Sequence, residues 1–414
     1  MGGPGALIGV MLAPRVPLYL SHSPTPKVHA FAFLASLEAG VRGTLLSVMP
    51  LAIYREVGDA GVVSRIYFMV GCGSLIAGLL VPWATRFVPR RWMLTLGNMM
   101  YYLGMALALK GGTGGMTAAV LANAVGTITI WVCMNAYLLD YFQRTELGRT
   151  ESLRMFYSAT MWGIGPVAGV WLLDLWRPAP FLLAGCFALA QLVTFWRLRL
   201  GDGREIRRAR GPAANPLAYL SRFARQPRLV AGWFFAVMRS CGWWVYVVYL
   251  PIFCIEHGLG DRLGGTMVSV TNGLLFFAPL MLRAVQRTSV RGAVRLGFGF
   301  SALMFAAAAV LPVPAGAVAL MFAGSWALIL LDVAGSLPFL MAVRPGERTE
   351  MAAVYSTFRD VSGIVTPGVA WLVLLAFPVT GVFAACGVGL ALAFGVAGRL
   401  HPRLGAARRV AAAE

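Results

Sequence analysis

Six ionisable side chains fall inside long apolar stretches of this 414-residue chain: Glu38 and Arg42, Arg239, Asp332, and the adjacent Arg359 and Asp360. An ionised group at mid-helix in hydrocarbon costs about 3 kcal/mol or more, so such residues usually line a polar path and not lipid. Their formal charges cancel, three against three. A carboxylate in that setting can exchange a proton, with burial and a neighbouring Arg pulling its pKa in opposite directions. Glu38, Asp332 and Asp360 are therefore the candidate proton-coupling groups. Guanidinium groups there can hold an anion through charge-assisted hydrogen bonds. Arg42, Arg239 and Arg359, with Glu38 and Asp332, are candidate solute-binding residues. Trp243 and Trp244 extend the set, since an indole can stack on an aromatic or cationic solute; packing or a membrane-interface position is the competing role.

Only a membrane can present these residues in this way. Hydrophobic residues make up 59% of the chain and charged residues 12%, about half the share of soluble domains, so most of the surface must face lipid or other apolar helices. Apolar runs of roughly 20 residues between charged or Gly/Pro-rich breaks predict twelve transmembrane helices, near 29–53, 62–83, 93–109, 114–140, 155–174, 179–197, 228–254, 264–282, 293–312, 316–341, 351–376 and 379–398. The expected fold class is an all-α integral membrane protein. Its many intrahelical glycines, among them Gly40, Gly43, Gly71, Gly73, Gly163, Gly165 and Gly169, suit closely approaching helix pairs.

The chain also repeats itself. Pro50, in Met49-Pro50-Leu51, returns 201 residues later as Pro251 in Leu250-Pro251-Ile252, and Arg86 and Arg90 return as Arg287 and Arg291. Gly148-Arg149-Thr150-Glu151 and Glu347-Arg348-Thr349-Glu350 both lead into a helix with a Tyr-Ser pair and then a proline, Pro166 or Pro367, again 201 apart. Thr followed by an acid also suits a helix start, so capping is an alternative reading of that echo. The repeat divides the chain into a tail (1–27), a six-helix bundle (28–199), a linker (200–227), a second six-helix bundle (228–400) and a second tail (401–414). It also places Glu38 and Arg239 at equivalent positions of spans 1 and 7, where they could pair across a central path. Glu38 and Arg42 are spaced i, i+4, so an intrahelical pair competes.

The net charge of +19 would suggest nucleic acid in a soluble chain, but 27 of the 35 Lys and Arg lie in the loops on the amino-terminal side of the spans. That bias puts both termini and the linker in the cytoplasm and makes lipid, not nucleic acid, the partner of the basic residues. The linker is either solvated and flexible or carries a short amphipathic helix through Leu217, Leu220 and Phe223, with Arg222 and Arg225, on the inner membrane surface. The six cysteines show no CxxC spacing and the four histidines lie in tails or near span ends, so neither a disulfide framework nor a metal or other cofactor site is expected. Residues 5–20 are fairly apolar but lack a preceding basic segment, which argues against a cleavable signal.

Twelve spans in two repeated halves with a basic central loop resemble the major facilitator superfamily of transporters. The resemblance implies two pseudo-symmetric six-helix bundles around a midplane site. The superfamily's loop motif after the second span is partly kept as Thr85-Arg86-Phe87-Val88-Pro89-Arg90-Arg91, and a degenerate second copy runs from Arg283 to Arg291. In relatives this loop latches the halves in the outward-facing state, which implies gating roles for Arg86, Arg90, Arg91, Arg287 and Arg291, with Asp140 and nearby Arg144 as partners. An ordinary positively charged loop is the alternative. Gly165-Pro166-Val167-Ala168-Gly169-Val170 resembles the Gly-Pro-x-x-Gly-Gly element of drug–proton antiporters, without its last glycine. The fourth span lacks the mid-membrane Arg of those antiporters.

These features predict a monomeric secondary transporter of the bacterial inner membrane that moves a small organic solute by alternating access. No Gly-x-x-x-x-Gly-Lys-Ser/Thr loop for ATP occurs in the sequence, so a proton gradient is the expected drive. Export by antiport is preferred, with proton-symport uptake of an anionic or metal-chelating metabolite as the alternative. A membrane receptor or enzyme on the same bundle is a further alternative, although no cluster of nucleophile, base or metal ligands supports catalysis.

Overall fold

The computed structural model describes residues 28–85, 87–141, 147–198, 216–277, 281, 289–344 and 347–400. All regular structure among them is helical. Backbone polar groups in hydrocarbon must be paired within their own segment, which leaves the helix as the only form these apolar runs can take singly.

Helices lie at each of the twelve predicted places. The first half holds α1 (Val28–Val57), α2 (Ala60–Ala84), α3 (Arg90–Lys110), α4 (Thr113–Tyr141), α5 (Leu147–Leu175) and α6 (Ala179–Arg197). The second holds α7 (Pro227–Glu256), α8 (Asp261–Gly273, continued by a 3-10 turn over Leu274–Phe277), α9 (Val290–Val310), α10 (Pro314–Ala342), α11 (Arg348–Ser356 and Phe358–Leu374) and α12 (Val379–Ala397). Nine of these, all but α5, α8 and α11, are long and apolar enough to cross a membrane unaided among the described residues. Helix starts follow local chemistry, as where the Asp59 carboxylate accepts from Gly61 N at 2.6 Å and Ser289 Oγ from Gly292 N at 3.0 Å.

Within the first half α1 packs on α5 and α6, and α3 on α4; within the second α9 packs on α10 and α12, and α7 on α11. The halves meet through α2 against α11 and α5 against α8. Exchanging the halves converts one of these pairs into the other, as a pseudo-two-fold axis requires. Repeat-related α1 and α7 are the most buried of the nine apolar spans, 72% and 61% over their apolar windows, so the repeat places its two inner helices at the centre.

The α1–α5 contact depends on glycine. A Cβ on Gly165 would stand 2.5 Å from the Gly43 carbonyl carbon, and one on Gly169 would stand 2.2 Å from the Thr44 carbonyl oxygen. Those residues are the partial Gly-Pro-x-x-Gly-Gly element, and backbone contact accounts for them.

The linker contains a helix, Pro216–Ala224. This is the short helix that one of the two sequence expectations placed here, but its docking differs, because Phe223 is 3% exposed and its ring faces Phe339 of α10 at 6.4 Å between centroids. Arg222 pairs with Glu347 and reaches Glu350 at 3.4 Å, while Gln226 donates to Glu347 at 3.2 Å. The helix is therefore clasped to the second half and does not rest on lipid through Phe223.

Candidate functional site

Between the halves lies a chamber of about 1450 Å³. It runs from the middle of the bundle toward the end where the linker helix lies, with Gly78, Leu79 and Trp83 of α2, Met155 of α5 and Ser356 of α11 along its wall. The opposite end is sealed. There α2 closes on α11, with Gly71 against the Gly363 carbonyl, Phe68 beside Trp371 at 6.2 Å, and Gly61 against Leu374. α5 likewise closes on α8, where Val167 N donates to Ser269 Oγ at 2.8 Å.

Charges complete the seal. Asp174 of α5 accepts from Arg55 of α1 at 2.5 Å and from Arg262 of α8 at 2.9 Å, and Arg55 also pairs with Asp261. Tyr54 donates to Glu256 of α7 at 3.2 Å. Every contact in this group except Arg55–Asp174 crosses between the halves.

All six intramembrane ionisable residues line the chamber, as do Trp243 and Trp244. The pair expected between Glu38 and Arg239 across the path is not formed. Glu38 is instead 3.5 Å from Arg42 on its own helix and accepts from Tyr101 OH at 3.4 Å. An i, i+4 partner is available without drawing the two halves together. Arg239 is 3.2 Å from Asp332 of α10, and Trp243 Nε1 donates to the other Asp332 oxygen at 2.9 Å. Each half thus holds one ion pair facing the same space.

Arg359 differs. Its side chain is exposed to the chamber, and among the described residues no carboxylate lies within ion-pair distance of it. Its guanidinium carbon lies 5.1 Å from the Trp131 ring centroid and 5.6 Å from that of Phe358. Arg42 lies over Trp162 at 4.9 Å and Arg239 over Phe358 at 5.4 Å. Asp360 follows on the same wall, half-buried.

The backbone is irregular where it carries these groups. α7 widens into a π-helical turn over Val245–Tyr249, directly after Trp243 and Trp244. Pro251 follows it, lacking an N–H and crowding the carbonyl four residues back, although the equivalent Pro50 sits in an unbroken α1. α10 is interrupted at Gly335 and Ser336, three residues past Asp332, and α11 at Thr357, two before Arg359. Trp233 Nε1 donates to Thr357 Oγ1, which donates on to the Val354 carbonyl and satisfies part of the break. Non-helical backbone at this depth is tolerated where it borders a polar cavity.

Of the loop residues with expected gating roles, Arg86, Arg144 and Arg287 lie outside the described residues, as does the side chain of Asp140. Arg90 and Arg91 open α3. Arg291 Nη2 donates to the Gly398 carbonyl at 2.7 Å, tying α9 to the end of α12 within one half.

Sequence reasoning missed Arg154, a fourth arginine in the chamber, whose Nη1 donates to Asn135 Oδ1 at 2.9 Å. The predicted span began at 155, so this residue was counted among loop charges; α5 begins at Leu147 and carries it inward. Tyr101, Thr127, Trp131, Trp162 and Phe358 were also missed, having no sequence signal that separates them from packing residues.

A family model described as Major Facilitator Superfamily matches residues 31–367. No curated protein matches the chain. Among solved structures, the nucleoside transporter NupG (D323A mutant) superposes with a TM-score of 0.70 at 14% identity, covering 89% of this chain and 99% of its own. A POT family transporter in complex with a thioalcohol-conjugated peptide gives 0.72 at 11%, covering 89% and 94%. A bacterial homologue of the iron transporter ferroportin in an inward-facing state gives 0.68 at 14%, covering 90% and 98%. At these identities the likeness establishes the fold.

Proposed function

Since the chain belongs to the Major Facilitator Superfamily and is a multi-pass membrane transporter, not an enzyme, we propose that it carries a small organic anion, coupled to protons, through the chamber between its halves. The observation that carries this reading is the charge of the wall: Arg42, Arg154, Arg239 and Arg359 against Glu38, Asp332 and Asp360. Two of the acids are engaged by Arg42 and Arg239, and Arg359 has no carboxylate within ion-pair distance among the described residues, so a solute bearing an anionic group completes the balance there. Glu38, Asp332 and Asp360 are the groups to take up the proton, and release of Asp332 from Arg239 would free it to do so.

The protein works as a monomer in the bacterial inner membrane, with termini and linker in the cytoplasm. The sealed end then faces outward and the chamber opens to the cytoplasm, the side that carries most of the basic residues and attracts anions. Capture from that side supports export by proton antiport; uptake by symport uses the same residues in reverse. The test is transport in proteoliposomes of the organic anion that most raises the melting temperature of the purified protein. Asp332→Asn, Glu38→Gln and Asp360→Asn are each compared with the parent. At least one variant retains exchange of labelled solute and loses accumulation driven by a pH gradient. Unchanged driven transport in all three excludes proton coupling at these groups.

A further inference from the structure

We infer that the solute is an aromatic carboxylate or comparable planar organic anion, with Arg359 as the residue that recognises its charge. This rests on the carrier reading above and narrows it to a substrate class.

The observations concern what each chamber cation is already doing. Arg42 and Arg239 have carboxylate partners and Arg154 an amide partner, whereas Arg359 lies against aromatic rings with no carboxylate within ion-pair distance among the described residues. Arg42, Arg154 and Arg239 all act against its charge, and the neighbouring Asp360 carboxylate alone acts in its favour. Four guanidinium groups gathered in a cavity repel one another, and an anion at their centre relieves that repulsion. A cationic solute meets the opposite field.

The surroundings of Arg359 select the body of the ligand. Five of the twelve tryptophans of the chain line the chamber: Trp83, Trp131, Trp162, Trp243 and Trp244. A guanidinium resting on an indole keeps its N–H edge available for a carboxylate, while the ring limits the side chain to few orientations. A carboxylate placed on Arg359 brings the atoms attached to it beside Trp131, which is exposed, while the buried Phe358 backs the guanidinium. Further in, Trp244 packs edge-on against Tyr67 at 5.8 Å. A planar ring gains offset or edge-to-face contacts with these groups that a flexible chain of equal size does not.

The test is equilibrium dialysis of the purified full-length protein against labelled 2-naphthoate, octanoate and 2-naphthylmethylamine. 2-Naphthoate is expected to bind about tenfold or more tightly than the other two, the gain of one or two ring contacts in one case and of the charge in the other. Arg359→Gln is expected to lose about tenfold or more of that affinity, and Arg359→Lys to keep part of it, because the charge survives without the planar fork. Trp131→Leu leaves the charge in place and should narrow the gap between naphthoate and octanoate. Melting curves of each variant confirm folding. Equal binding of octanoate or of the amine, unchanged naphthoate affinity in Arg359→Gln, or no binding of any probe overturns the inference. Pumped flux of octanoate without the naphthoate overturns it while leaving the anion-carrier reading intact. Tight naphthoate binding without flux in either direction overturns the carrier reading and leaves this site standing.

Discussion

Asp332 receives an arginine from one turn of α7 and an indole N–H from the next, so its two oxygens are held by the same helix. Glu38 is held less firmly, by an arginine on its own helix at 3.5 Å and a phenol at 3.4 Å. This difference orders the substitutions. Arg239→Gln leaves Asp332 with Trp243 alone, and its cost in stability, about 1–3 kcal/mol for a charge losing its largely buried ion-pair partner, should exceed that of Arg42→Gln, whose side chain is 38% exposed. Thermal melting of the two variants checks the order, and an equal or reversed order contradicts it. The charges themselves were legible in the sequence because an ionisable residue in an apolar run is conspicuous. Their partners were not, because pairing depends on which helices are neighbours. Arg154 shows the other limit: an error of a few residues in one helix start moved it from chamber to loop.

At the scale of the helix, the chain trades side chains for close approach. Gly165→Ala places a methyl 2.5 Å from backbone of α1, which cannot give as a flexible side chain can, so a loss of about 1–3 kcal/mol and a lower melting temperature are expected. Gly163→Ala, with its nearest neighbour at 3.8 Å, should be tolerated, and similar losses for the two would contradict this. The Gly-Pro-x-x-Gly pattern was thus visible as a motif, but its structural cause appeared only once α1 lay beside α5. The linker helix carries a pH prediction. The hydrogen bond from Gln226 and the charge of Arg222 hold the Glu347 carboxyl below its usual range. Its clasp is therefore fully present above the ordinary Glu value of about 4.3 and is lost only as pH falls through the lowered one. Limited proteolysis of the linker should be constant from about pH 5 to 8. Arg222→Glu should expose it at neutral pH. Increasing cleavage between pH 8 and 6 would contradict the assignment.

For the whole molecule, the repeat dictates how the halves can move. The two interfaces between them, α2–α11 and α5–α8, exchange under the pseudo-two-fold axis, and both are closed at the end away from the linker. Arg55, Asp174, Asp261 and Arg262 hold that end shut by charge. Arg55→Glu places three acids together and should bias the molecule toward opening there, seen as faster labelling of a cysteine placed at Leu374. The repeat and its offset are features of the sequence itself, whereas which end is closed is a property of one state and leaves no trace in residue order. The most direct test of movement through this chamber is a reversible lock. A Cβ on Gly61 would stand 3.8 Å from the Leu374 Cβ, close to the mean separation of about 3.8 Å in disulfides. In a background freed of native cysteines, Gly61→Cys with Leu374→Cys should cross-link on oxidation, stop transport in proteoliposomes, and recover it on reduction. Transport that continues at the parent rate with the cross-link complete would contradict alternating access through this path.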